Sequence, residues 1–144
     1  MRCADYALTE DICTMGKGWD VALDIFDYRG ETVEEVRARC ELPPRTLLDA
    51  AGGSVRQIVG YDHTPFFAAR RITVTGRLAL ENERFYAGAV VAGRGQLVSE
   101  KGETDLRSGD AFFVPNTVQS HEYVAAPGTT LDIMTADPPR LARG

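Results

Sequence analysis

At 144 residues, 44% of them hydrophobic and 26% charged, the chain carries enough apolar material for one domain with its own core, which excludes a largely disordered polypeptide. Its net charge of −5, with Arg70-Arg71 as the only adjacent basic pair, disfavours a nucleic-acid partner, because phosphate contacts need clustered Lys and Arg. No apolar run approaches the roughly 20 residues that cross a bilayer, and the acids in "MRCADYALTEDICTMG" leave no room for the apolar centre of an export signal, so a cytoplasmic location without a membrane partner is expected.

The first part of the chain, residues 1–53, reads as a helical segment packing on the β-rich remainder. In "GWDVALDIFDY", Val21, Ala22, Ile25 and Phe26 recur at three- and four-residue spacings beside Trp19 and Leu23, so the pattern predicts a short helix ended by Gly30. Trp19 reads as an anchor for that helix. In "ETVEEVRARCEL", Thr32 followed by Glu35 is a capping-box pattern, and Val33, Val36 and Cys40 make a narrow apolar stripe. Pro43-Pro44 stops this second helix. The cysteines, Cys3, Cys13 and Cys40, are odd in number and lack C-x-x-C spacing, which fits reduced thiols better than disulfides or zinc.

From residue 54 to 137 the texture is β. "SVRQIVGYD" is a strand closed by Gly60, and "FFAARRITVTGRLAL" alternates through Ile72 and Val74. Further short strands are split by Gly93-Arg94-Gly95, Glu100-Lys101-Gly102, Ser108-Gly109-Asp110 and Ala126-Pro127-Gly128. Strands roughly 8–12 residues apart with Gly-rich turns predict a sandwich or barrel. Gly93 and Gly95 suit positive φ in a tight hairpin, the Asp110 carboxylate suits bonds to nearby backbone N–H groups, and Pro115 ends "AFFV", read as a buried strand. Residues 138–144 read as a flexible tail.

Few residues suggest chemistry. His63, in "YDHTPFF", reads as a loop histidine, with a sugar-phosphate contact as the functional alternative. Arg70, Arg71 and Arg94 could meet a phosphate, but surface ion pairing is the simpler account. Glu81 and Glu83 flank a turn and read as solvated. There is no Gly-x-Ser-x-Gly elbow, no P-loop and no paired carboxylates at a working distance, so no catalytic residue is assigned. Tyr86, His121 and Tyr123 are the candidate ligand-binding residues, on the view that a small barrel can hold one molecule in its mouth.

"AVVAGRGQLVSE" followed by "TDLRSGDAFFVPNTVQSHEY" resembles the two signature segments of the cupin superfamily, which implies a mainly β, jelly-roll barrel behind one or two short helices. Metal-binding cupins carry His-x-His and a Glu before the Gly-x-Gly turn and another His after the proline. The matching stretch "NERFYAGAVVAG" has no histidine, and His121 sits one position beyond the place near Ser120, which should turn it to the opposite face. No metal is therefore expected within this chain.

From Gly16 to Ala136 the order of "GKGWDVALDIFDYRGETVEEV", "GGSVRQIVGYDHTPFFAARRITVTG" and "GRGQLVSEKGETDLRSGDAFFVPNTVQSHEY" resembles the C-terminal, degenerate cupin of type I mannose-6-phosphate isomerases. The resemblance implies a complete enzyme that interconverts aldose and ketose phosphates with zinc held in a separate catalytic domain. It implies no isomerase activity for this chain alone. The expected role is structural, with an upstream catalytic cupin or a second copy as partner. A patch near Trp19, Val21 and Ile25 would await that partner. The alternative is a stand-alone, metal-free cupin for a small sugar or sugar phosphate.

Overall fold

The structure is a computed structural model and describes residues 9–140. The readings placed on Cys3 and on residues 141–144 lie outside the described residues. The chain divides into a helical unit, Met1–Glu41, and a β unit, Leu42–Gly144.

The helical unit holds α1 (Glu10–Thr14), α2 (Trp19–Asp24) and α3 (Val33–Cys40). The capping box forms at α3: the Glu35 N–H donates to Thr32 Oγ1 at 3.2 Å, and the Thr32 N–H donates to Glu35 Oε2 at 2.7 Å. Helix α2 stops at Asp24, well before Gly30. Local side-chain bonds compete there with the helix: Tyr28 Oη donates to the Leu23 carbonyl at 2.7 Å, and Asp27 Oδ1 accepts from the Arg29 N–H at 3.1 Å. Trp19, Val21, Ile25 and Phe26 are exposed, as are Cys13 and Cys40. None of the described helices is long and apolar enough to cross a membrane.

The β unit starts earlier than residue 54. Strand β1 (Arg45–Ala50) pairs antiparallel with β2 (Gly53–Val59) across a turn at Ala51-Gly52. "RTLLDA" hides its strand character because Leu47 and Leu48 are adjacent, and the register shifts between Thr46 and Leu48, so simple alternation is lost. The other strands are β3 (Ala68–Val74), β4 (Arg77–Glu81), β5 (Tyr86–Ala92), β6 (Arg94–Ser99), β7 (Gly102–Arg107), β8 (Ala111–Val114), β9 (Ser120–Ala125) and β10 (Leu131–Asp137). A six-stranded sheet runs β1-β2-β3-β10-β5-β8, and a four-stranded sheet runs β4-β9-β6-β7. The two enclose a core of Val55, Ile72, Val74, Leu78, Val90, Leu106, Tyr123, Leu131 and Ile133, a jelly-roll arrangement of two packed sheets.

The glycine pair at the start of β6 works differently from a hairpin. Strands β5 and β6 belong to different sheets, so Gly93 marks the point where the chain crosses between them. Gly93 has φ +82°, and a Cβ there would lie 1.9 Å from the Thr130 carbonyl oxygen. Gly95 is needed for close approach instead, since its Cβ would sit 2.2 Å from the Val124 oxygen. The Asp110 carboxylate accepts from the Arg107 N–H at 2.9 Å, as the turn reading expects. Strand β8 is a sheet edge rather than a fully buried strand: Val114 is buried while Ala111 and Phe113 are exposed. Residues 138–140, read as part of a loose tail, are tied down. Tyr61 Oη donates to the Pro138 carbonyl at 2.5 Å, Arg84 to the Pro139 carbonyl at 2.7 Å, and the Arg140 N–H to the Pro65 carbonyl at 3.0 Å.

Candidate functional site

Strand alternation decides what points into the barrel. On β5 the inward positions are Tyr86, Gly88 and Val90, and on β9 they are His121 and Tyr123. His121 is only 5% exposed while Ser120 is exposed, so the imidazole faces inward, contrary to the expected opposite face. Register explains the difference. Leu80 pairs with His121 and Leu78 with Tyr123, and burying Leu78 fixes the face of β9. The turn after Pro115, closed by the Val118 N–H on the Pro115 carbonyl at 3.0 Å, absorbs the extra residue.

The three candidate residues come together. Tyr86 Oη lies 2.6 Å from His121 Nε2 and 2.6 Å from Tyr123 Oη, so its hydroxyl is the hub of a buried network. The His121 and Tyr123 rings meet edge to face, with centroids 5.2 Å apart. Tyr86 and Tyr123 are at most 2% exposed. Burial, outweighing the bond from Tyr123, pushes the Tyr86 hydroxyl up to about 12, and burial with the neighbouring Tyr86 raises Tyr123 as well. Burial first, and then the Arg70 charge, lowers the His121 imidazole to about 4, so it is neutral at pH 7.

Arg70 closes this cluster from the barrel mouth. Its guanidinium lies 5.4 Å over the Tyr86 ring and donates to Asp137 Oδ1 at 2.6 Å. Burial raises the Asp137 carboxyl above its ordinary value, with Arg70 opposing the rise. Three buried polar atoms among the described residues have no partner: Arg70 Nε, His121 Nδ1 and Thr135 Oγ1. An unmet buried group of this kind costs about 1–3 kcal/mol. Thr135 pairs in register with Arg70 on β3 and with Gly88 on β5, so these orphans gather at one end of the inner face.

The residues do not fit a resident metal. The inner face of β5 offers Tyr86, Gly88 and Val90, and the one inward imidazole is bonded to a phenol. A Cβ at Gly88 would lie 2.3 Å from Phe112 Cζ, so an aromatic ring fills the space where a longer side chain would reach inward. Among the described residues no group of three or more His, Cys, Asp or Glu could hold a metal ion.

The other singled-out residues sit apart from this cluster. His63 Nδ1 accepts from the Gly60 N–H at 3.1 Å in a loop, as a loop histidine should. Arg71 pairs with Asp132 at 2.5 Å, so it meets a carboxylate on the sheet. Arg94 lies on β6 opposite Arg107, in a separate open cavity lined also by Gln96 and Asp105. Asp137 and Thr135 carry no such signal in the sequence, and Arg70, read there as a phosphate contact or a surface ion pair, is not grouped with Tyr86: strand pairing brings them together, with Arg70 and Asp137 lying 67 residues apart.

The fold and its signature turns define a cupin, and comparison with known proteins agrees. Residues 57–125 match the family described as "Mannose-6-phosphate isomerase, cupin domain". Residues 57–125 of this barrel thus carry the pattern of a cupin domain of the mannose-6-phosphate isomerase-like type. The mannose 6-phosphate isomerase of Bacillus subtilis superposes with a TM-score of 0.56 and 18% identity, over 66% of this chain and 28% of that one. The chain thus corresponds to under a third of that enzyme's length. The EutQ protein of Clostridium difficile aligns at TM-score 0.54 and 11% identity, over 64% of this chain and 75% of that one. The polyketide cyclase RemF of Streptomyces resistomycificus aligns at 0.54 and 18%, over 78% and 80%. At these identities the likenesses establish the fold alone. No curated protein matches the chain in sequence.

Proposed function

We propose that this chain is a non-catalytic cupin whose role is assembly within a mannose-6-phosphate isomerase-like system. Aldose–ketose isomerisation needs an electrophile to polarise the carbonyl and a base to move the C2 proton. The observation that carries the reading is the inner face of β5 and β9, where Tyr86, His121 and Tyr123 bond one another and Phe112 fills the space over Gly88. A ligand could touch that trio only after Arg70 moved aside.

The assembly role is supported by the outer face of the six-stranded sheet. Ala87, Ala89 and Val91 on β5 and Ala111 and Phe113 on β8 are exposed, and Phe85 packs at a tilt against Phe113 with centroids 5.6 Å apart. Small, uncharged side chains on a sheet face suit packing against an identical face about a two-fold axis, so a second copy is its occupant. The uncharged area is confined to β5 and β8, since Arg71 and Asp132 pair on β3 and β10 of the same sheet, while the outer face of the four-stranded sheet carries Arg77–Glu122 and Gln96–Asp105 pairs.

Metal analysis, an aldose–ketose phosphate isomerase assay and light scattering on the purified chain test this reading together. Substoichiometric metal, no turnover and a dimer that Phe113→Glu converts to a folded monomer are the expected results. Stoichiometric zinc or turnover by the isolated chain refutes the non-catalytic reading, and a wild-type monomer at about 100 μM refutes assembly through a second copy.

A further inference from the structure

Above Arg70 lies a cavity of about 350 Å³, within the size range of small-molecule sites. Leu47, Gln57, Tyr61, Asn82, Arg84 and Asp137 are among its walls, with Arg70 as its floor and Glu81 and Glu83 on its rim. Several of these groups already have partners: Tyr61 and Arg84 bond the chain at 138–139, and the Asn82 amide donates to the Val118 carbonyl at 3.1 Å. The Gln57 carboxamide has no side-chain hydrogen bond among the described residues, and Asp137 Oδ1 alone is engaged by Arg70.

Charge and bonding type together select the guest. The walls carry two guanidinium groups, Arg70 and Arg84, against three carboxylates, Glu81, Glu83 and Asp137. That excess of negative charge repels a phosphate, while the mixture of fixed donors and acceptors matches hydroxyls, which do both.

We infer that the barrel mouth is a binding site for a neutral, polyhydroxylated small molecule of monosaccharide size, held by Gln57, Arg70, Arg84 and Asp137. The inference goes beyond the assembly role and stands whether or not the chain dimerises.

The test is a titration of the full chain with D-mannose or D-glucose, and in parallel with their 6-phosphates, followed by NMR of the Gln57 and Asn82 side-chain amides and Arg70 Nε–H. The neutral hexoses are expected to shift these signals saturably with a Kd in the range of about 1–10 mM, and the phosphates to bind at least about tenfold more weakly. Gln57→Ala should weaken the neutral sugar at least about fivefold with amide dispersion elsewhere unchanged, and Glu83→Gln should narrow the gap between sugar and sugar phosphate. No shift at these three groups by about 100 mM hexose, or tighter binding of the phosphates, overturns the inference. Neither result bears on metal content or turnover, which test the non-catalytic reading separately.

Discussion

Acidification should cost this fold stability through one imidazole. His121 is 5% exposed, and burial with the nearby Arg70 charge lowers its pKa from 6.5 to about 4. In the unfolded chain the same group titrates near its ordinary value. Between the two values the unfolded state holds the extra proton, so the fold loses stability as pH falls from 6.5 towards 4, and the loss levels off below. The gap between 6.5 and about 4, at about 1.4 kcal/mol per tenfold, amounts to about 3 kcal/mol. Asp137 works in the opposite sense, because its raised folded pKa makes protonation favour the native state. Comparison with His121→Gln isolates the imidazole. Urea unfolding at pH 7, 5.5 and 4 should show a steeper decline for wild type than for His121→Gln, by about 3 kcal/mol across the range. An NMR titration should place the imidazole midpoint near 4. A midpoint at or above 6, or equal pH slopes for the two proteins, would refute the burial argument.

Three further outcomes follow from the same geometry. Tyr86→Phe removes the hub hydroxyl and strands two buried partners, so it should lower unfolding free energy by about 2–4 kcal/mol, while Tyr123→Phe removes one bond and should cost about 1 kcal/mol; equal losses in urea titrations would contradict the hub assignment. Gly88→Ala should destabilise by about 1–3 kcal/mol because its Cβ meets the Phe112 ring, and Phe112→Leu in the same chain should recover part of the loss, read as a non-additive double-mutant cycle. Gly93→Ala combines a positive φ with a backbone clash at Thr130 and should cost about 2 kcal/mol or more by thermal or urea unfolding, with a near-neutral result contradicting the crossing geometry.

The sequence spoke most clearly where local chemistry decides structure. The Thr32–Glu35 capping box, the Asp110 turn and the alternation through Ile72 and Val74 rest on residues within a few positions of each other, and all three appear as expected. Strand β1 was missed because a register shift at Leu47 breaks its alternation. The facing of His121 was misread because counting from Pro115 ignores a turn that takes up one residue, while pairing with β4 sets the register. Tyr86, His121 and Tyr123 were placed together, but Arg70, Thr135 and Asp137 were not grouped with them, since sheet pairing alone brings β3, β5 and β10 side by side.

The Phe112 ring over Gly88 makes the interior a ratchet. Any change that puts a longer coordinating side chain at position 88 meets the ring first, and shrinking the ring first opens a void in a packed core. Neither order of the two steps is neutral, so a barrel that has settled into this aromatic filling stays with it unless both positions change together.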